Sequence, residues 1–266
     1  MLTRKHVLSI DVSSGSYEDF VETIFEYSST RQSKYVCLAN VHMLVEAYNS
    51  PKFQNVVNGA DIVAPDGMPI AKSLGLFYHI KQQRVDGMGL MQNLLAQCAA
   101  RGQSVYFYGG TSEMLGDTRA YLLAKYPRLK IAGMYAPPFK ELSTAEKASV
   151  VCDINQSGAN LVFVVLGCPK QEAWMNEMKG KISAVMLGIG GALPMMIGWL
   201  KKAPKWLQNI GMEWFYRLLQ EPKRLFKRYA VTNTKFIYLV LMELLSRKAA
   251  DTGVASMPSQ TYKKAA

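Results

Sequence analysis

The sequence predicts an α/β fold built on a Rossmann-like parallel sheet flanked by helices, followed by a basic helical C-terminal appendage. Three observations carry that expectation. Leu161 to Leu166 is an unbroken apolar run, LVFVVL, the pattern of a strand covered on both faces. Strand-like and helix-like stretches alternate from the N-terminus to the glycine turn at Gly188, which is the rhythm of a doubly wound sheet. Small or polar residues follow one strand after another at the same end, where ligands bind in such sheets.

In chain order, Val7 to Val12 reads as a short strand. A helix over Ser16 to Ser28 follows, with Ser16 as N-cap and Glu18 and Asp19 in the first turn. Tyr35 to Ala39 is the next strand, ending at Asn40. A helix over His42 to Tyr48 comes after it, and Ser50-Pro51 opens another with Phe53, Val56 and Val57 at helical spacing. Ala60 to Pro65 is a strand that delivers Asp66-Gly67 to a helix starting near Met68. Beyond a polar connection with Arg84, Asp86 and Gly87, a helix covers Leu90 to Arg101, and the strand Ser104 to Tyr108 ends in Gly109-Gly110-Thr111. Helix Glu113 to Lys125, strand Lys130 to Met134 and helix Thr144 to Gln156 lead to the LVFVVL strand. A helix beyond Glu172, a strand over Ala184 to Leu187 and the turn Gly188-Ile189-Gly190-Gly191 close the alternation.

With 266 residues, 49% of them hydrophobic, the chain is long enough for one large α/β domain. Its start, MLTRKHVLSIDV, lacks the apolar core of a secretory signal, and Phe236 to Leu245 is only about half the roughly 20 residues of a spanning helix. A cytosolic protein is expected. Cys37, Cys98, Cys152 and Cys168 form no CxxC pair and read as reduced, buried thiols. The net charge of +11 is concentrated at the end: Trp199 to Lys248 holds eleven basic and three acidic residues, a net of +8. Such a block attracts polyanions, whether nucleic acid, anionic lipid or a phosphorylated substrate. These features divide the chain into a core over 1–198, an appendage over 199–248 and a disordered tail over 249–266.

Candidate chemistry gathers at the strand ends. Asn40, Asp66, Arg84, Gly109, Gly110, Gln171 and Gly190 are expected along one edge, and Lys170, Gln171 and Glu172 bring a cation, an amide and a carboxylate together. Asp66 is either a helix N-cap or a general base. Gly109-Gly110 is either a tight turn or a place where backbone amides approach a phosphate. Cys168 has no His in motif context to make it a nucleophile. There is no DxD and no His/carboxylate cluster at metal spacing, so phosphate charge would fall to Arg, Lys and helix N-termini. Trp214, Leu218, Leu225 and Tyr229 share one helical face and Arg217, Arg224 and Arg228 another, with Pro222 as a break. That helix either packs on the domain or lies in a membrane interface.

Several of these stretches together resemble a known family. Asn40-Val41-His42, the run from Ala60 to Gly67 (ADIVAPDG), Tyr108-Gly109-Gly110, the run from Leu166 to Glu172 (LGCPKQE), Gly188-Ile189-Gly190-Gly191-Ala192, and Lys202-Ala203-Pro204 with Gly211 to Leu218 (GMEWFYRL) resemble, in order, the signature blocks of the WecG/TagA/CpsF bacterial glycosyltransferases. The resemblance implies an inverting, metal-independent hexosyltransferase that needs no cofactor. It would move a sugar from a UDP-sugar to a polyprenyl-diphosphate-linked sugar, peripherally on the inner face of the cytoplasmic membrane, in cell-surface polysaccharide synthesis. A homo-oligomer is compatible with it. Asp66 becomes the base, with Gln171 beside it as the second catalytic residue. Substrate contacts are assigned to Asn40, Arg84, Gly109, Gly110, Lys170, Glu172, Gly190, Gly191, Arg217, Arg224 and Arg228. Where the family pattern has an aspartate after the glycine turn, this chain has Pro194, so the resemblance names no donor sugar. Two rival readings are weaker. A nucleic-acid-binding module using the basic segment has no recognised motif behind it, and a nicotinamide-dependent oxidoreductase would need the GxGxxG that this chain lacks.

Overall fold

The computed structural model describes residues 1–251. Its centre is a six-stranded sheet in the order β4-β3-β8-β7-β5-β6, parallel throughout. The strands are β3 (Lys34–Ala39), β4 (Ile62–Pro65), β5 (Ser104–Gly109), β6 (Lys130–Tyr135), β7 (Leu161–Val165) and β8 (Val185–Gly188). Every residue of β7 is buried, as its unbroken apolar run requires. Alternate residues feed two cores. Tyr35, Cys37, Tyr106, Tyr108, Val162 and Val164 face one side, whereas Val36, Leu38, Phe107, Phe163 and Leu187 face the other.

Helices cover both faces. Helices α2 (Val41–Asn49), α3 (Pro51–Asn58), α4 (Met68–Tyr78), α7 (Thr144–Gln156) and α8 (Lys170–Met178) contribute to the first core. Helices α1 (Tyr17–Ser29), α5 (Gly87–Arg101), α6 (Ser112–Lys125) and the short α9 (Ala192–Met196) contribute to the second. Short polar side chains start them: Ser16 and Ser143 make reciprocal capping boxes with Asp19 and Glu146, and Asn40, Ser50, Asp86 and Thr111 each accept a backbone N–H. Because all six strands run the same way, Asn40, Asp66, Gly109, Leu166 and Ile189 leave the sheet at one edge.

Three expectations need correction. The expected strand over Val7 to Val12 is two strands of an antiparallel hairpin, β1 (Thr3–Val7) and β2 (Ile10–Ser14). The turn between them has Leu8 at φ 59°, with Ser9 N–H donating to Val7 O at 2.7 Å. No Gly, Asn or Pro marks that turn, and a leucine in the left-handed region gives no sequence signal. Cys152 is exposed on α7, whereas Cys37 and Cys98 are buried and Cys168 is half-buried. The helix after the LVFVVL strand begins at Lys170 and so includes Gln171 and Glu172.

The appendage holds α10 (Lys205–Asn209), α11 (Glu213–Gln220) and the 30-residue α12 (Pro222–Asp251), broken at Glu221-Pro222 as expected. Residues 249–251, assigned to the tail from sequence, continue α12; the rest of that segment lies outside the described residues. Helix α12 runs along α2, burying Leu225, Thr232 and Leu239, with Phe236, Val240 and Leu244 packed against the first core. Arg247 fixes its far end by donating to Phe77 O at 2.9 Å. This face of α12, which includes Leu225 of the expected apolar stripe, therefore packs on the domain. Its other side leaves Phe226, Ile237, Tyr238, Leu241 and Leu245 exposed. Among the described residues, no helix is long and apolar enough to cross a membrane.

Candidate active site

A cavity of about 920 Å³ opens at the carboxyl ends of β3, β4, β7 and β8, and α11 and α12 form its far wall. Asn40, Asp66, Arg84, Lys170, Gln171, Gly190, Gly191, Arg217, Arg224 and Arg228 all line it. Gly109, Gly110 and Glu172 do not. Gly110 instead donates its N–H to Val165 O at 2.9 Å, so its amide is committed to the sheet rather than free for a phosphate. A second cavity of about 650 Å³, between β2, α1 and the start of β4, lies at the opposite end of the sheet, away from these residues.

Asp66 sits where β4 ends. Its N–H donates to Ala39 O at 2.8 Å, and the chain then turns through Gly67 at φ 108° into α4. Gly67 is the N-cap of α4 and no side chain caps that helix, so Asp66 is not a cap. Val85 N–H donates to Pro65 O at 3.0 Å, which lays the 84–86 segment alongside and brings Arg84 and Asp86 to the carboxylate. Burial pushes Asp66 up to about 7; Arg84 opposes the shift, Asp86 and Glu213 add to it, and the Gly87 N–H opposes it. A carboxyl that titrates near neutrality is suited to taking a proton at physiological pH.

The appendage reaches this point directly. Arg84 Nη1 donates to Glu213 Oε2 at 2.6 Å and its Nη2 to Gln208 Oε1 at 3.3 Å. Lys202 Nζ donates to Asp86 Oδ1 at 3.0 Å. Asp86 also caps α5 through Gly89; burial works to raise its carboxyl, but the Gly89 amide, Lys202 and Arg84 outweigh that and hold it below the usual range. Arg84 is thus tied to groups beside Asp66 rather than standing unpaired in the cavity.

Gln171 is almost fully buried in the wall and has both ends of its amide engaged. Its Oε1 accepts from Gly167 N–H at 3.1 Å, and its Nε2 donates to Glu172 Oε1 at 2.8 Å. A Cβ on Gly188 would lie 2.9 Å from Gln171 Nε2, which is why a side chain is not accommodated there. Glu172 has no exposed surface, and burial raises its carboxyl. It therefore braces Gln171 from behind and has no face on the cavity.

The wall formed by α11 and α12 is cationic. Arg217 lies over the glycine turn, with its Nη2 2.8 Å from where a Cβ on Gly191 would stand. Arg224 Nε donates to Glu221 Oε1 at 2.7 Å, whereas Arg228 faces His42, whose imidazole is held low by burial and by that guanidinium. Trp214 and Tyr229 meet edge to face at 5.9 Å and lock α11 to α12, which sets the arginines' positions. Sequence reasoning missed His42, Asp86, Lys202, Glu213, Trp214 and Tyr229 as cavity or site groups. His42, Lys202, Glu213 and Trp214 lay within the quoted signature blocks, and that was the available signal.

The sequence model of the glycosyl transferase WecG/TagA/CpsF family matches residues 5–250, which takes in the sheet, the cavity and the appendage together. The chain belongs to this family. Over 246 residues it is 28% identical to the N-acetylglucosaminyldiphosphoundecaprenol N-acetyl-beta-D-mannosaminyltransferase of Bacillus spizizenii, covering 92% of each protein. In this WecG/TagA/CpsF transferase most of the blocks that carried the resemblance converge in space. The Asp66 turn, the Gly167 to Gln171 loop, the Gly190-Gly191 turn and the Glu213 to Arg217 helix all border one cavity, although they span some 150 positions of sequence. Pro194 lines it too, on α9.

Proposed function

We propose that this transferase moves a sugar from a UDP-sugar to a polyprenyl-diphosphate-linked sugar acceptor, with inversion, at the inner face of the cytoplasmic membrane. The observation that carries this reading is the company in the cavity: a carboxyl poised near neutrality shares it with Arg217, Arg224 and Arg228. In this reading Asp66 takes the proton from the acceptor hydroxyl while that oxygen bonds to the anomeric carbon. The bond from that carbon to the diphosphate oxygen breaks on the opposite face, and the negative charge that builds on UDP is stabilised by the arginine wall. The similarity to the Bacillus spizizenii N-acetylglucosaminyldiphosphoundecaprenol N-acetyl-beta-D-mannosaminyltransferase supports the acceptor class. The exposed Phe226, Tyr238, Leu241 and Leu245, together with Lys223 and Lys227 on α12, support contact with an anionic membrane surface. In this reading a core over 1–198 and the appendage after it act together, since both line the cavity. A panel of UDP-sugars with a lipid-diphosphate acceptor analogue, read by mass spectrometry, tests it: no transfer from any UDP-sugar would overturn it.

Metal independence is part of the same reading. Among the described residues, no group of three His, Cys, Asp or Glu side chains is placed to hold a metal ion, so the arginines are left to meet the diphosphate charge. Turnover is expected to be unchanged by EDTA. Activity that disappears with the chelator and returns with Mg²⁺ or Mn²⁺ would show that a metal shares the task.

A further inference from the structure

The groups around Asp66 come from two parts of the chain. Arg84 and Asp86 belong to the connection before α5, and each is held by an opposite charge from the appendage. Glu213 Oε2 is 2.6 Å from Arg84 Nη1, and Lys202 Nζ is 3.0 Å from Asp86 Oδ1. Arg84 Nη2 is 3.9 Å from Asp86 Oδ2, which joins the two pairs into one chain of alternating charge. Arg84 is nearly buried, with 12% of its side chain exposed, so an unpaired guanidinium there would be costly and the pairing is well defined. Gln208 adds a neutral acceptor to the same guanidinium. Without the appendage, Arg84 would lose both Glu213 and Gln208 and Asp86 would lose Lys202, leaving the two beside Asp66 with only their long 3.9 Å contact to each other and the Gly89 amide on Asp86.

We propose that Glu213 and Lys202 are positioning residues that hold Arg84 and Asp86 in place around Asp66 and so set the proton affinity of that carboxyl. The inference rests on the reading of Asp66 as the general base and adds a role that the arginine wall does not supply. It gives the appendage a function on the acceptor side of the reaction, separate from charge stabilisation on the leaving diphosphate. The two residues act in opposite senses. Glu213 offsets Arg84 and adds negative charge near Asp66, which favours the protonated carboxyl. Lys202 offsets Asp86 and adds positive charge, which favours the carboxylate. The remaining charged groups lining the cavity are Lys170, Arg217, Arg224, Glu221 and Arg228, which both variants retain.

The test is the pH dependence of kcat/KM in the full-length protein for Glu213→Gln and Lys202→Met, with Glu213→Asp as the conservative control. The acidic limb is expected to move to lower pH in Glu213→Gln and to higher pH in Lys202→Met, each by about half a pH unit or more, and to stay near the wild-type position in Glu213→Asp. Loss of a merely structural contact would lower the rate in both variants without moving the limbs apart. Limbs that stay put, or that move in the same direction, overturn the proposal. If Glu213→Gln does not fold, Lys202→Met decides alone: an upward shift supports the proposal and an unmoved limb overturns it. The underlying reading fails by a different result. Substantial activity in Asp66→Asn would remove the base itself, whereas an inactive Asp66→Asn with both limbs unmoved would sink only the positioning role.

Discussion

Asp66→Asn is expected to reduce turnover by about 10²-fold or more while leaving UDP affinity within a few-fold of wild type, because the amide keeps the shape of the carboxyl and removes only its ability to accept a proton. The position favours a clean result. The Asp66 side chain caps no helix, and the backbone bond from its N–H to Ala39 O survives the substitution. The wild-type enzyme should lose activity as pH falls through about 7, since the base must be ionised and burial holds its pKa there. Stability should show the opposite trend. The folded protein favours the neutral carboxyl, so Asp66 costs stability progressively as pH rises from the ordinary 3.8 to about 7, and the full cost applies above that. Asp66→Asn should therefore melt at a higher temperature than wild type at pH 8 and lose most of that advantage at pH 4. A variant that keeps a tenth of wild-type turnover rules Asp66 out as the base; one that is inactive without being more stable at pH 8 argues that the carboxyl is already ionised at lower pH.

The strand ends were legible because a parallel sheet makes them so. The apolar run of β7 announced burial on both faces, and Asn40, Asp66 and the Gly190 turn each follow such a strand directly. Glycine at 109 and 110 sent the same signal but lies outside the cavity lining, since a glycine turn after a strand serves sheet geometry as readily as ligand approach. Glu172 was misplaced for a different reason. Adjacent helical residues point about 100° apart, and in α8 it is Lys170 and Gln171 that border the cavity, whereas Glu172 is turned into the interior. The Arg84–Glu213 and Lys202–Asp86 pairs could not be read at all from spacing. Their partners are more than a hundred positions apart, and nothing local in a charged residue tells a solvated face from a buried pair. The basic appendage illustrates the limit of composition: a net of +8 told of an anionic partner, but not that Arg224 is shared with Glu221 while Arg217 lies over the Gly191 turn.

That difference among the arginines sets the last expectation, which is that Arg217→Ala will lower kcat by about 10²-fold, more than Arg228→Ala and much more than Arg224→Ala. Arg217 is placed by backbone shape: its Nη2 lies where a Cβ on Gly191 would be 2.8 Å away, beside the turn that follows β8. Arg228 also lines the cavity, near His42. Arg224 is half exposed and already paired with Glu221, so a diphosphate would have to compete for it, and an exposed pair of this kind is worth little. Gly191→Ala offers an independent check, since its methyl would displace the guanidinium without removing any charge; it should reproduce much of the Arg217→Ala loss. Membrane contact should separate from these effects. Each basic residue near an anionic surface contributes about 1 kcal/mol, so removing one from a segment with a net charge of +8 will barely change flotation with anionic liposomes. Arg217→Ala should thus float like wild type and transfer almost no sugar. If instead all three single variants lose activity only in proportion to lost liposome binding, and each recovers full turnover on a water-soluble acceptor analogue, the arginines hold the enzyme to the membrane and do not meet the leaving diphosphate.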